Sequence, residues 1–141
     1  MVTRLTPRKA FSALRSDTII QAGWESTPIH ILVNLAYGRC AKTRRRVAEN
    51  PSTPITILAR LAADEDSEVR IAVSENKVVP EGLLNILAKD EDADVRFALA
   101  ENCRMTLSIL NQLAHDTNPY VSCRASQTLE QKQLYESPRA A

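Results

Sequence analysis

Five cations stand within eight residues at Arg39, Lys42, Arg44, Arg45 and Arg46. Guanidinium and ammonium groups at that density attract phosphates or an acidic protein surface. Lys42, Arg45 and Arg46 are spaced by three and four, so on a helix they share one side. The chemistry on offer is anion binding, with Arg4, Arg8, Lys9 and Arg15 adding to it from the N-terminal end. A solvated, solubilising face is the plainer reading of the same run. Reading nucleic acid also needs aromatics for base stacking, and Tyr37 is the one that lies near.

Other reactive residue types do not converge in sequence. His30 and His115 each lack a His or Cys partner one helical turn away, so no metal site is expected. Asp64/Asp66 and Asp90/Asp92 imitate a cation loop but lack its glycine and distal glutamate. Cys40, Cys103 and Cys123 have no neighbouring base to activate them, and no Gly-rich phosphate loop or Ser/His/Asp order occurs. An enzyme is not expected, nor a cofactor.

The residues must be positioned by something regular, because the chain repeats itself. Val69-Arg70-Ile71-Ala72-Val73-Ser74-Glu75-Asn76 lies over Val95-Arg96-Phe97-Ala98-Leu99-Ala100-Glu101-Asn102 after a shift of 26 residues. One step earlier stands Thr43 to Asn50; one step later the pattern loosens at Val121. A second motif keeps the same step: Pro54 to Ala62, Pro80 to Ala88, Thr106 to Ala114, and Pro28 to Ala36 before them. A fixed period of this size means stacked units that each bury a face against the next.

The unit VRxAVxxN, then a proline-started LLxxLA, then D-x-D, resembles the leucine-rich repeat variant family. Val69 to Asp92 and Val95 to Asp116 carry the resemblance, with Ser52 to Asp66 close behind. The family is mostly bacterial. It pairs an α-helix with a short, often 3₁₀, helix and coils into a right-handed superhelix, so the resemblance implies that fold. HEAT-type repeats are a near neighbour with a longer unit. The family's best-known architecture also carries a cysteine-bound iron–sulfur cluster. The three dispersed cysteines here, without a C-x-x-C, do not match it.

The expected fold is therefore all-α: a right-handed solenoid of 26-residue two-helix units, α/α or α/3₁₀. Residues 1–23 read as an N-terminal cap helix from Thr6-Pro7 to about Ala22, 24–118 as repeats, 119–136 as a C-terminal capping helix and 137–141 as a tail. Thr27-Pro28 and Thr53-Pro54 read as a hydroxyl cap followed by Pro at the first helical position. The buried stripe is expected at Ile31, Leu32, Leu35, Ala36, Leu58, Leu61, Ala62, Val69, Ala72, Val73, Leu84, Leu87, Ala88, Val95, Ala98, Leu99, Leu110 and Leu113. Asn50, Asn76 and Asn102 end helices, where a left-handed residue is often needed and Asn tolerates it. Arg70 and Arg96 each lie four residues after an aspartate, Asp66 and Asp92, and a ladder of Asp–Arg pairs and carbonyl caps joining the units is expected from them.

Three glycines and six aromatics argue against a β-rich chain. No apolar run approaches the roughly 18 residues a membrane helix needs, the N-terminus is too polar for a secretory leader, and an odd cysteine count fits a reducing cytosol. Net charge is +1, but residues 1–46 carry +7 and residues 47–141 carry −6. That asymmetry suits an anionic partner or head-to-tail self-association.

Function follows from surface. The leading expectation is a non-catalytic module that binds a protein or peptide along the inner wall of the solenoid, at Thr56, Arg60, Asn85, Lys89, Ser108 and Gln112. The alternative is binding of nucleic acid or another polyanion by Arg39 to Arg46.

Overall fold

The computed structural model describes residues 19–136. The expected start of the N-terminal cap helix, the cations Arg4, Arg8, Lys9 and Arg15, and the tail 137–141 lie outside the described residues. Ile19 to Ala22 are helical, and eight helices follow: α1 (Ile29–Ala36), α2 (Ala41–Glu49), α3 (Ile55–Leu61), α4 (Ser67–Glu75), α5 (Glu81–Leu87), α6 (Ala93–Glu101), α7 (Leu107–Leu113) and α8 (Pro119–Glu136). The described residues contain no strand. None of their helices is long and apolar enough to cross a membrane.

Two series interleave. α1, α3, α5 and α7 begin at 29, 55, 81 and 107; α2, α4, α6 and α8 begin at 41, 67, 93 and 119, so each series advances by 26 residues. The short members are α-helical over seven or eight residues.

Local chemistry explains the boundaries. Pro28, Pro54 and Pro80 stand just before the short helices with φ of −58°, −59° and −72°, close to the angle that the ring imposes. The Pro54 carbonyl accepts the first helical bonds, from Ile57 and Leu58 at 2.9 and 3.0 Å. The threonines act otherwise than expected. Thr53 Oγ1 donates backward to the Val47 carbonyl at 2.6 Å, and Thr27 Oγ1 donates to Gln21 O. They close the end of the preceding helix, and only Thr106 caps forward, accepting from Ile109 N–H at 3.4 Å.

The D-x-D turn divides its labour. Asp64, Asp90 and Asp116 accept the backbone N–H two residues on, from Asp66, Asp92 and Asn118, at 3.0, 2.9 and 2.8 Å. Asp66, Asp92 and Asn118 then accept from Glu68, Asp94 and Tyr120 N–H, each at 2.9 Å. The third residue of each turn thus caps the N-terminus of a long helix.

The long helices pack each on the next, α2 on α4, α4 on α6 and α6 on α8. The short helices lean on the long helices beside them and make less contact with one another. Between the two layers runs one continuous core in which Leu32, Leu58, Leu61, Val69, Val73, Leu87, Val95, Leu99, Leu110 and Leu113 are buried. Burying each such side chain stabilises the fold by about 1.5–3 kcal/mol. Ile57 and Ile109 are buried as well, beyond the expected stripe, because the short helices turn two adjacent side chains inward.

Candidate functional site

The basic run does not form one patch. Arg44 lies inside the molecule: its side chain is 6% exposed and pairs with Asp64, itself 4% exposed. Nε and Nη2 donate to Asp64 Oδ2 and Oδ1 at 2.7 and 2.8 Å, and Nη1 donates to the Gly38 carbonyl at 3.0 Å. Arg45 and Arg46 are exposed and share Glu49, at 3.0 and 2.8 Å, while Arg45 also reaches Glu68 at 3.2 Å. Arg39 and Lys42 are exposed and form no ion pair among the described residues. Arg39 lies on the short-helix side of the chain, in a depression of about 600 Å³ with Tyr37, Arg60 and Glu65. Lys42 lies with Arg45, Arg46 and Glu49 around a smaller one of about 250 Å³.

Arg44 is the first rung of a ladder. Arg70 repeats its geometry on Asp90, at 2.8 and 2.9 Å, and on the Asp64 carbonyl at 2.7 Å. Arg96 repeats it on Asp116, at 2.7 and 3.1 Å, and on the Asp90 carbonyl at 2.7 Å. Each arginine clamps the next unit's turn twenty residues ahead and its own unit's turn six residues behind. The expected ladder of Asp–Arg pairs and carbonyl caps joining the units is present, but its carboxylates are Asp90 and Asp116; Asp66 and Asp92, the aspartates four residues before each arginine, cap helices instead. The two-pronged hydrogen bond to Asp64, Asp90 or Asp116 raises the pKa of each arginine above its ordinary value against the opposing effect of burial. Burial alone would raise Asp64, yet the Arg44 guanidinium and the Asp66 N–H hold it below the ordinary carboxylate value. Asp116 is lowered by the Arg96 hydrogen bond, against burial and with help from the Asn118 N–H.

A second ladder runs the opposite way. Asn50 Nδ2 donates to the carbonyls of Ala22 and Trp24 at 2.9 and 2.7 Å, and Asn76 Nδ2 to those of Ala48 and Asn50 at 2.6 and 3.0 Å. Their Oδ1 atoms accept from Ser52 and Val78 N–H at 2.8 and 2.9 Å. The expected left-handed conformation is absent: Asn50, Asn76 and Asn102 have φ of −73°, −64° and −80°. Asparagine is used because one amide satisfies buried carbonyls of the preceding unit while holding its own turn.

Thr56, Arg60, Asn85, Lys89, Ser108 and Gln112 are all exposed, and all belong to the short helices or the residues just after them. Two of them also mend helix ends. Arg60 Nη1 donates to the Ala36 carbonyl at 2.7 Å and stacks at 4.1 Å over the Tyr37 ring. Gln112 Nε2 donates to Ala88 O at 3.3 Å. Ile86 holds the equivalent place between them and is exposed, as are Ile29, Ile55 and Leu107.

The long-helix layer presents a different surface. Glu68, Ile71 and Glu75 lie three and seven apart on α4; Asp94, Phe97 and Glu101 repeat them on α6. The acids are exposed, and Ile71 and Phe97 are half-buried between them. Cys123 takes the same place on α8 and is exposed. Arg45 takes it on α2. No three His, Cys, Asp or Glu among the described residues are grouped to hold a metal ion. This face is written in the sequence as a 26-residue step between like positions, Glu68 and Asp94, Ile71 and Phe97, Glu75 and Glu101. Comparison with known proteins finds no family model, no curated protein and no solved structure that matches this chain.

Proposed function

We propose that this protein is a non-catalytic interaction module: a right-handed solenoid of 26-residue helix pairs, similar to leucine-rich repeat variant proteins, that binds a protein or peptide in a reducing cytosol. One observation carries the reading. The buried arginines and asparagines are consumed in joining unit to unit, so the recurring exposed side chains remain as surface presented on a rigid frame. Extended surfaces of that kind are what stacked repeats use for binding. Thr56, Arg60, Asn85, Lys89, Ser108 and Gln112 form one such face on the short-helix layer, the wall expected to bind, and the long helices form the other.

The polyanion reading is less well supported. Arg44 is inside the molecule, Arg45 and Arg46 are matched by Glu49 and Glu68, and Arg39 is on the other side. The test is retention of partners from native extract on the immobilised protein, at low and moderate salt, with and without nuclease, beside the Arg45→Glu/Arg46→Glu variant. Arg44 is left in place because its loss would damage the frame. A discrete protein held by both after nuclease is the expected result. Retention of nucleic acid alone, lost in the variant, would overturn it.

A further inference from the structure

We infer that the face formed by α4 and α6 is a docking groove for a basic amphipathic helix. The inference rests on the interaction-module reading and names its partner class. Ile71 and Phe97 form an apolar line one unit apart, flanked on one side by Glu68 and Asp94 and on the other by Glu75 and Glu101. An apolar line calls for an apolar partner stripe, and two acidic rails call for cations on both sides of it. Arg45 bonds Glu68 at 3.2 Å and Arg124 approaches Glu101 at 3.8 Å, so cations of the chain itself already take the outer end of each rail. Glu75 and Asp94 carry no ion pair among the described residues and are exposed. Glu75 also borders a depression of about 350 Å³ between the ends of α2 and α4, lined by Glu49, Pro51, Ala72 and Lys77.

Spacing selects a helix over an extended strand. Packed helices lie about 8–10 Å apart, which sets the step from Ile71 to Phe97. Seven residues of a partner helix rise about 10 Å, so a helix lying along the stack places one apolar side chain per unit on the line. A strand offers same-side residues about 6.6 Å apart and falls out of step. Ile71 and Phe97 are one step apart, and a partner helix of about 20 residues would extend past both, toward Arg45 on α2 and Cys123 on α8.

The test is fluorescence anisotropy with three labelled alanine-based peptides of about 20 residues. One has Leu at every seventh place flanked by Lys, one replaces Lys with Glu, and one keeps Lys but replaces Leu with Gln. The Lys/Leu peptide is expected to bind at least about tenfold more tightly than either control. Glu75→Gln/Asp94→Asn, checked for an unchanged thermal melt, is expected to weaken it about tenfold, while Ile86→Gln on the opposite layer leaves it unchanged. Equal binding of the two Lys peptides, or loss on Ile86→Gln with none on Glu75→Gln/Asp94→Asn, would overturn the groove. So would a wild-type dimer in sedimentation that the acid substitutions dissolve, since a second copy would then cover the face. Failure of all three peptides also overturns it; retention of a discrete protein from extract would still stand, and that separates this inference from the module reading.

Discussion

Arg70 holds Asp90, twenty residues ahead of it, and leaves Asp66, four residues behind, to cap a helix. The pair is nearly dry, with side chains 10% and 9% exposed. Removing one partner of such a pair strands the other, at a cost of about 3 kcal/mol. Arg70→Leu is therefore expected to lower the melting temperature by roughly 10 °C. Arg70→Leu/Asp90→Leu is expected to recover part of that loss, and the double-mutant cycle measures the coupling. Arg45→Ala, at an exposed pair, is expected to change stability by less than about 1 kcal/mol. Equal effects at Arg70 and Arg45 would contradict the ladder.

Asn76 separates two accounts of its place at a helix end. If conformation mattered, Asn76→Gly would be tolerated. The negative φ and the two carbonyls that accept from Nδ2 make the amide the essential part. Asn76→Ala and Asn76→Gly are both expected to destabilise by about 2 kcal/mol. Asn76→Asp is expected to be worse at neutral pH, because a carboxylate would face those carbonyls. Denaturant titration of the three variants distinguishes the accounts.

The lowered pKa of Asp64 and Asp116 fixes the sign of the acid response. Their folded values lie below the unfolded ones, so the unfolded chain binds more protons in the interval between. Their stabilisation is complete above the ordinary carboxylate value, about 3.9, and is lost as pH falls through the folded values. Asp116→Asn is expected to be less stable than the wild type at neutral pH, with the difference shrinking below about pH 4. Thermal melts across that range test it; a gap that widens in acid would refute it.

Glu49 silences two cations at once. Glu49→Gln is expected to raise the salt concentration that elutes the protein from a heparin column, and Arg45→Glu/Arg46→Glu to lower it. If Glu49→Gln elutes where the wild type does, the exposed pairs do not hold in solution.

The helix order and most of the core were legible because they depend on spacing within about ten residues, and the period because the same residue types return after 26. The partners were not. Arg44, Arg70 and Arg96 stand 26 residues apart, yet Thr43, Arg45 and Arg46 made the first of them look like part of a surface charge run. The two carboxylates of a D-x-D turn are equal in sequence, and proximity favours the nearer arginine. The nearer one is taken by backbone N–H groups that only the folded turn presents. Asn50 and Asn76 misled for the same reason: their carbonyl partners lie 26 and 28 residues back, in the preceding unit. Thr53 precedes one helix in sequence, yet its hydroxyl closes the end of another.

The two ladders point in opposite directions along the chain, arginine forward and asparagine backward. Between the α1–α2 and α3–α4 units both are present, Arg44 on Asp64 and Asn76 on the Ala48 carbonyl, so that border is written half by the unit before it and half by the unit after. A second copy of residues 67–92 spliced after Asp92 would meet, at both of its borders, a partner carrying the residues it already binds. Such an insertion would add a whole unit without inventing a new interface, and among the described residues the arginine ladder closes at Arg96 because Ser122 stands where the next arginine would be.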